Sequence, residues 1–114
     1  MAKVTIKVPV TTKQKTEELI DATGQVAYFK IAGKRTKCII QEMSIFRGPQ
    51  LTHYASGKTM VPSATITSMK IRHMHGGKTL TTRAACELCL MELVQRTGAD
   101  KVRSIIENAE VINV

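Results

Sequence analysis

Three short segments repeat one chemical pattern: Ala32-Gly33-Lys34-Arg35-Thr36, Ser56-Gly57-Lys58-Thr59 and Gly76-Gly77-Lys78-Thr79. In each, glycine lets the backbone turn with its N–H groups outward, lysine adds a point charge, and threonine offers a hydroxyl donor. These are the ingredients of a phosphate cradle. Taken singly, each is first of all an ordinary hairpin tip. What gives the set weight is the charge around it. Between residues 25 and 80, nine basic residues face one acid, Glu42, and this block equals the whole formal net charge of +8. Residues 1–24 and 81–114 are close to neutral. A block of one sign concentrates anions, whereas charge serving only solubility is spread with both signs interspersed.

Other chemistries find less support. Gly77-Lys78-Thr79 matches the end of a nucleotide-binding P-loop, but Arg72 stands where the first glycine belongs and nothing resembles a metal-holding acidic strand. A nucleotide hydrolase is rejected. The helix expected to begin near Thr82 still has free N–H groups that favour an anion, with Lys78, Thr79 and Arg83 close by. His73, His75, Cys86 and Cys89 form a ligand set that zinc accepts. Both cysteines fall on an apolar helix face, however, where cysteine acts as a small hydrophobe, so no metal or other cofactor is assigned. No catalytic residue is assigned either. Glu42 is the only acid across the expected sheet, and nothing fixes Cys38 against His53. The aromatics are Tyr28, Phe29, Phe46 and Tyr54, with no tryptophan. Tyr28 and Phe29 are neighbours in a strand and face opposite ways, which leaves at most one exposed. This inventory suits a shallow pocket for one base better than a long stacking groove.

The elements that must position these residues are legible from period and punctuation. Residues 2–10 alternate and predict a half-buried strand ending near Pro9. Thr11 with Gln14, then Glu17 and Glu18 before Leu19 and Ile20, and Gly24 beyond, predict a short helix over roughly 12–22. Residues 25–32 and 36–46 read as a hairpin about Gly33-Lys34-Arg35, followed by a turn at 47–50. Residues 51–55 and 59–61 form a second hairpin around Ser56-Gly57-Lys58. Pro62-Ser63 bulges or ends that strand, and 64–74 favours a further strand through Thr65, Thr67 and Ile71. After Gly76-Gly77 the period becomes helical over 82–97, with Thr82 as N-cap. Apolar residues on more than one side place this helix between the sheet and another helix, or in a dimer interface. Gly98 ends it. A last helix follows with Val102, Ile105 and Ile106 inward, and 111–114 forms an edge strand or packs back.

The expected architecture is a single α+β domain spanning 1–114: a mostly antiparallel sheet of five or six strands with helix 82–97 buried on one face. Turns in an antiparallel meander alternate between the sheet's ends, so the tips at 33–35 and 57–58 share one end. There is no apolar run of membrane-spanning length and no secretory signal, and three cysteines do not read as a disulfide framework; a reducing cytoplasm fits best. The expected function is binding of a phosphate-bearing ligand, nucleotide or nucleic acid, without turnover, so that the ligand is sequestered. Its residues are Lys34, Arg35, His53, Tyr54, Lys58, Thr59, Arg72, Lys78, Thr79 and Arg83, and homo-oligomers through helix 82–97 are expected. The segment Leu-Thr-His-Tyr-Ala-Ser-Gly-Lys at 51–58 resembles small accessory proteins carried by phages and mobile elements. That resemblance implies an alternative, an inhibitor whose basic face docks on an acidic host protein.

Overall fold

The computed structural model describes residues 3–11, 13–41 and 48–114. Ala2, Thr12, Glu42, Phe46 and Arg47, which enter the sequence reading, lie outside them. Five strands form one antiparallel meander in chain order: β1 (Lys3–Thr11), β2 (Glu17–Ile31), β3 (Lys34–Gln41), β4 (Gln50–His53) and β5 (Thr59–Val61). Three helices follow: α1 (Ser63–Arg72), α2 (Thr82–Thr97) and α3 (Ala99–Glu107). This is the α+β architecture expected from the sequence, with α2 packed against β2, β5 and both other helices. No helix among the described residues is long and apolar enough to cross a membrane.

Two segments differ from expectation. The helix expected over 12–22 is instead the first part of β2, because nine alternating residues of β1 find a nine-residue partner from Glu17 to Gln25. A capping pattern stabilises a helix end by about 1 kcal/mol, which a full antiparallel ladder outweighs. The strand expected over 64–74 is helix α1. Ser63, Ile66 and Met69 are its buried residues, three apart, while Ile71 is exposed. That helical stripe, with Pro62 at the N-cap, overrides the β propensity of Thr65, Thr67 and Ile71. The N-cap of α2 is Thr81, whose Oγ1 accepts the Ala84 N–H at 3.2 Å, one residue before the position expected.

Strand β2 serves two neighbours in turn. Its residues up to Gln25 pair with β1, and those from Gly24 to Ile31 pair with β3. At the handover Gly24 passes so close to β3 that a Cβ there would sit 2.3 Å from the Ile40 carbonyl oxygen. The β1–β2 hairpin then folds back as an arm over the sheet face opposite the helices. Ile6, Val8 and Ala22 of the arm pack on Ile39, whose neighbour Cys38 belongs to the larger core facing the helices. Both residues are 0% exposed, so β3 is buried on both faces where the arm crosses it.

The C-terminal segment fastens this arm without forming a strand. The amides of Ile112 and Asn113 both donate to the Ala55 carbonyl, at 2.7 and 2.9 Å. The Asn113 side chain accepts from the Lys7 N–H at 2.8 Å and donates to the carbonyls of Lys7 (2.8 Å) and Tyr54 (2.9 Å). One amide therefore joins β1 to the turn after β4. At about 1 kcal/mol net per hydrogen bond, Asn113→Ala is expected to lower unfolding free energy by about 2 kcal/mol in urea titrations. Asn113→Asp, which keeps the acceptor but sets a carboxylate oxygen against the Lys7 and Tyr54 carbonyls, should lose at least as much. A shift no larger than about 0.5 kcal/mol for the alanine variant would show that the arm is held by its apolar contacts alone.

Candidate functional site: a cationic, aromatic sheet face

Because successive strand residues point to opposite faces, the β2–β3 register sorts its side chains cleanly. Phe29 and Thr36 are cross-strand partners, both buried toward the helices. Tyr28 pairs with Lys37, and Lys30 with Arg35, so these four share the other face, beyond the region the arm covers. Tyr28 is 41% exposed. The Arg35 guanidinium lies 4.3 Å from the Tyr28 ring centre, and the Lys37 ammonium 3.8 Å from that of Tyr54. Tyr54 is placed by its backbone: its N–H donates to the Lys37 carbonyl at 3.2 Å, and its carbonyl accepts from Asn113. Three cations and two rings thus interleave on one face, and residues 22–41 contain no acid.

The residues singled out at the turns are distributed over several places. The tips at 32–33 and 54–58 lie at the same end of the meander, as alternation requires. Ala32 and Gly33 form a tight turn with φ of 51° and 82°, which moves Lys34 and Arg35 into β3. Helix α3 covers this tip: Arg103 donates to the Ala32 carbonyl at 2.5 Å, and Lys34 pairs with Glu107 at 3.3 Å. Lys34, Arg35, His53 and Tyr54 line a depression of about 350 Å³ together with Lys37. His53, Lys58 and Thr59 line an apolar hollow of about 270 Å³ against α2 and α3.

The remaining four sit apart. The third glycine-lysine turn does not belong to the meander, since 63–72 is helical and Gly76-Gly77 closes a separate turn bridged by His75 and Lys78. Lys78 and Thr79 are exposed there. Arg72 is engaged with Glu92 of α2, at 3.0 and 3.1 Å. Arg83 donates to the Tyr28 carbonyl at 2.7 Å, pairs with Glu87 at 3.4 Å and lies 4.7 Å from the Phe29 ring centre. Acids of the C-terminal helices thereby meet cations of the basic block. Tyr28, Lys30 and Lys37 were not singled out at the turns, although the alternation of 28, 30 and 35, 37 about a two-residue tip carries the signal.

The thiols and imidazoles show no poised nucleophile. The β3–β4 register does pair Cys38 with His53. Burial, with the neighbouring Cys86 second, pushes the Cys38 thiol up to about 12, and its sulfur contacts the Thr36 carbonyl and the Met60 sulfur, both at 3.8 Å. Cys86 is raised to about 11 and Cys89 is raised as well, in both cases chiefly by burial. A thiol protonated at neutral pH is a poor nucleophile. The His53 Nδ1 is 2.8 Å from Ser56 Oγ. Among the described residues no three His, Cys, Asp or Glu side chains converge as metal ligands. Comparison of the chain with protein-family models, with curated proteins and with solved structures gives no match.

His53 has a consequence for stability. Burial holds its imidazole below the ordinary value of 6.5, so the folded chain takes up this proton less readily than the unfolded chain. Its contribution is therefore complete above about pH 6.5 and is lost as pH falls through the depressed folded value. Thermal midpoints should drop on acidification from neutral pH, and His53→Gln should flatten that decline. An unchanged slope in the variant would assign the acid sensitivity to other groups.

Proposed function

We propose that this protein binds a phosphate-bearing ligand, a nucleotide or nucleic acid, on the face that carries Tyr28, Lys30, Arg35, Lys37 and Tyr54, and releases it unchanged. The observation that supports this reading is the interleaving of cations with aryl rings by strand register. Phosphate is attracted by the cations, and a base has a π-face for Tyr28 or Tyr54 to stack on. Lys34 and His53 border the same depression. The buried thiols favour binding over turnover.

The test is a titration of the full chain with fluorescein-labelled single-stranded RNA, single-stranded DNA, duplex DNA, and linear and cyclic nucleotides. Saturable binding of at least one is expected. For a single strand contacted by Lys30, Arg35 and Lys37, the logarithm of affinity should fall against that of salt concentration with a slope of about −2. Absence of saturable binding across the panel at low salt would overturn the reading.

A further inference from the structure

A second groove, sharing Arg35 with that depression, runs along the outer margin of β2. Among the described residues, pairing with β1 reaches Lys3 and Gln25, and no other described strand runs beside β2 from Tyr28 to Ile31. In an antiparallel ladder a residue turns both its N–H and its C=O to the same side. The Tyr28 carbonyl, on that open side, is met by the Arg83 guanidinium and not by a strand. By the same alternation the Tyr28 N–H and both backbone groups of Lys30 face outward. Helix α2 forms the opposite wall of a groove of about 870 Å³, with Phe29, Ile31, Leu90 and Val94 as its apolar lining. Met91 also lines it and is 57% exposed. Lys30, Arg35 and Arg83 stand around it with one carboxylate, Glu87.

We propose that this open edge receives an extended, acidic polypeptide strand, laid between β2 and α2 and hydrogen-bonded to the backbone of Tyr28 and Lys30. A strand edge is specific for an extended chain, because only a backbone offers donors and acceptors at the matching repeat. Alternate side chains of the guest enter the apolar groove, and the others meet the surrounding cations. Charge selects the guest's sign. A second copy of this chain would bring +8 against +8, whereas an acidic strand is drawn in. The groove shares Tyr28, Lys30 and Arg35 with the proposed ligand face, but its far wall on α2, including Met91, lies outside that face.

The experiment uses the full chain and three fluorescein-labelled probes: a short peptide alternating Glu and Val, the same peptide N-methylated at alternate backbone nitrogens, and one alternating Lys and Val. The acidic peptide should bind saturably and slow amide exchange at Tyr28 and Lys30. N-methylation should weaken it by about tenfold or more, since charge is kept and ladder donors are lost, and the lysine peptide should not bind. Met91→Glu, at an exposed position, should weaken the acidic peptide by a similar factor while the nucleotide and nucleic-acid titrations stay unchanged. No binding by the acidic peptide, equal binding after N-methylation, or indifference to Met91→Glu would overturn the proposal. A concentration-dependent doubling of mass that the peptide does not reverse and Met91→Glu abolishes would overturn it in favour of a second copy as occupant.

Discussion

Gly57→Ala is expected to destabilise the fold by about 3 kcal/mol, for two reasons that add. Its φ is +70°, a conformation costing an alanine about 1–2 kcal/mol. Its missing side chain also leaves room for β1: a Cβ would lie 2.4 Å from the Lys7 carbonyl oxygen and 2.9 Å from the Val8 Cα. Both obstacles are backbone, so relief requires the arm to lift. Lifting it would strain the Asn113 bonds and uncover Ile39. Gly77→Ala is the matched control, since its φ of +78° carries the same conformational cost with nothing within 4 Å of the added Cβ. Urea denaturation should show the control losing only about 1 kcal/mol. Equal losses in the two variants would mean that the arm yields freely and that its contact at Gly57 contributes nothing.

Arg35→Glu combined with Lys37→Glu is expected to weaken binding of the best ligand found in the titration by about a hundredfold or more. The change removes two phosphate partners, sets two carboxylates against the ligand and takes the cations from the two tyrosine rings. Both side chains are exposed, so stability should change by about 1 kcal/mol or less. Lys78→Glu with Lys101→Glu alters net charge by the same amount elsewhere on the exposed surface. If attraction to +8 were the whole effect, the two double variants would lose affinity alike. A loss confined to about a few-fold in the second pair and large in the first would locate the ligand on β3; similar losses would remove it from there.

These variants also mark how far residue order alone reaches. The hairpin about Gly33, the short strands around Ser56-Gly57-Lys58, the buried α2 and the opposed directions of Tyr28 and Phe29 are all legible, because each is set by a local period or a turn within a few residues. The segments at 17–22 and 64–72 misled, since their local signals are weak and nearly balanced. In the first, a nine-residue ladder with a distant partner outweighs a helix cap; in the second, three buried positions on α1 outweigh β-branched side chains. The candidate site was legible in part. Arg35 and Tyr54 were named, whereas Tyr28, Lys30 and Lys37 required knowing that the tip is Ala32-Gly33, which fixes which residues stand opposite one another.

Residue order determined the basic block, the glycine-bearing turns and the alternation that sorts each strand into two faces, because these depend only on composition and on neighbours along the chain. The tertiary structure alone decided which of those charges stay available. Glu107 and Glu92 engage Lys34 and Arg72 across separations of 73 and 20 residues, so the block seen along the chain is not the one presented in space. It likewise decided that no described strand covers the outer side of β2 from Tyr28 to Ile31, and that the arm closes over β3. Pairing lengths and long-range ion pairs are chosen when distant segments compete for the same neighbours, a competition that no local pattern records.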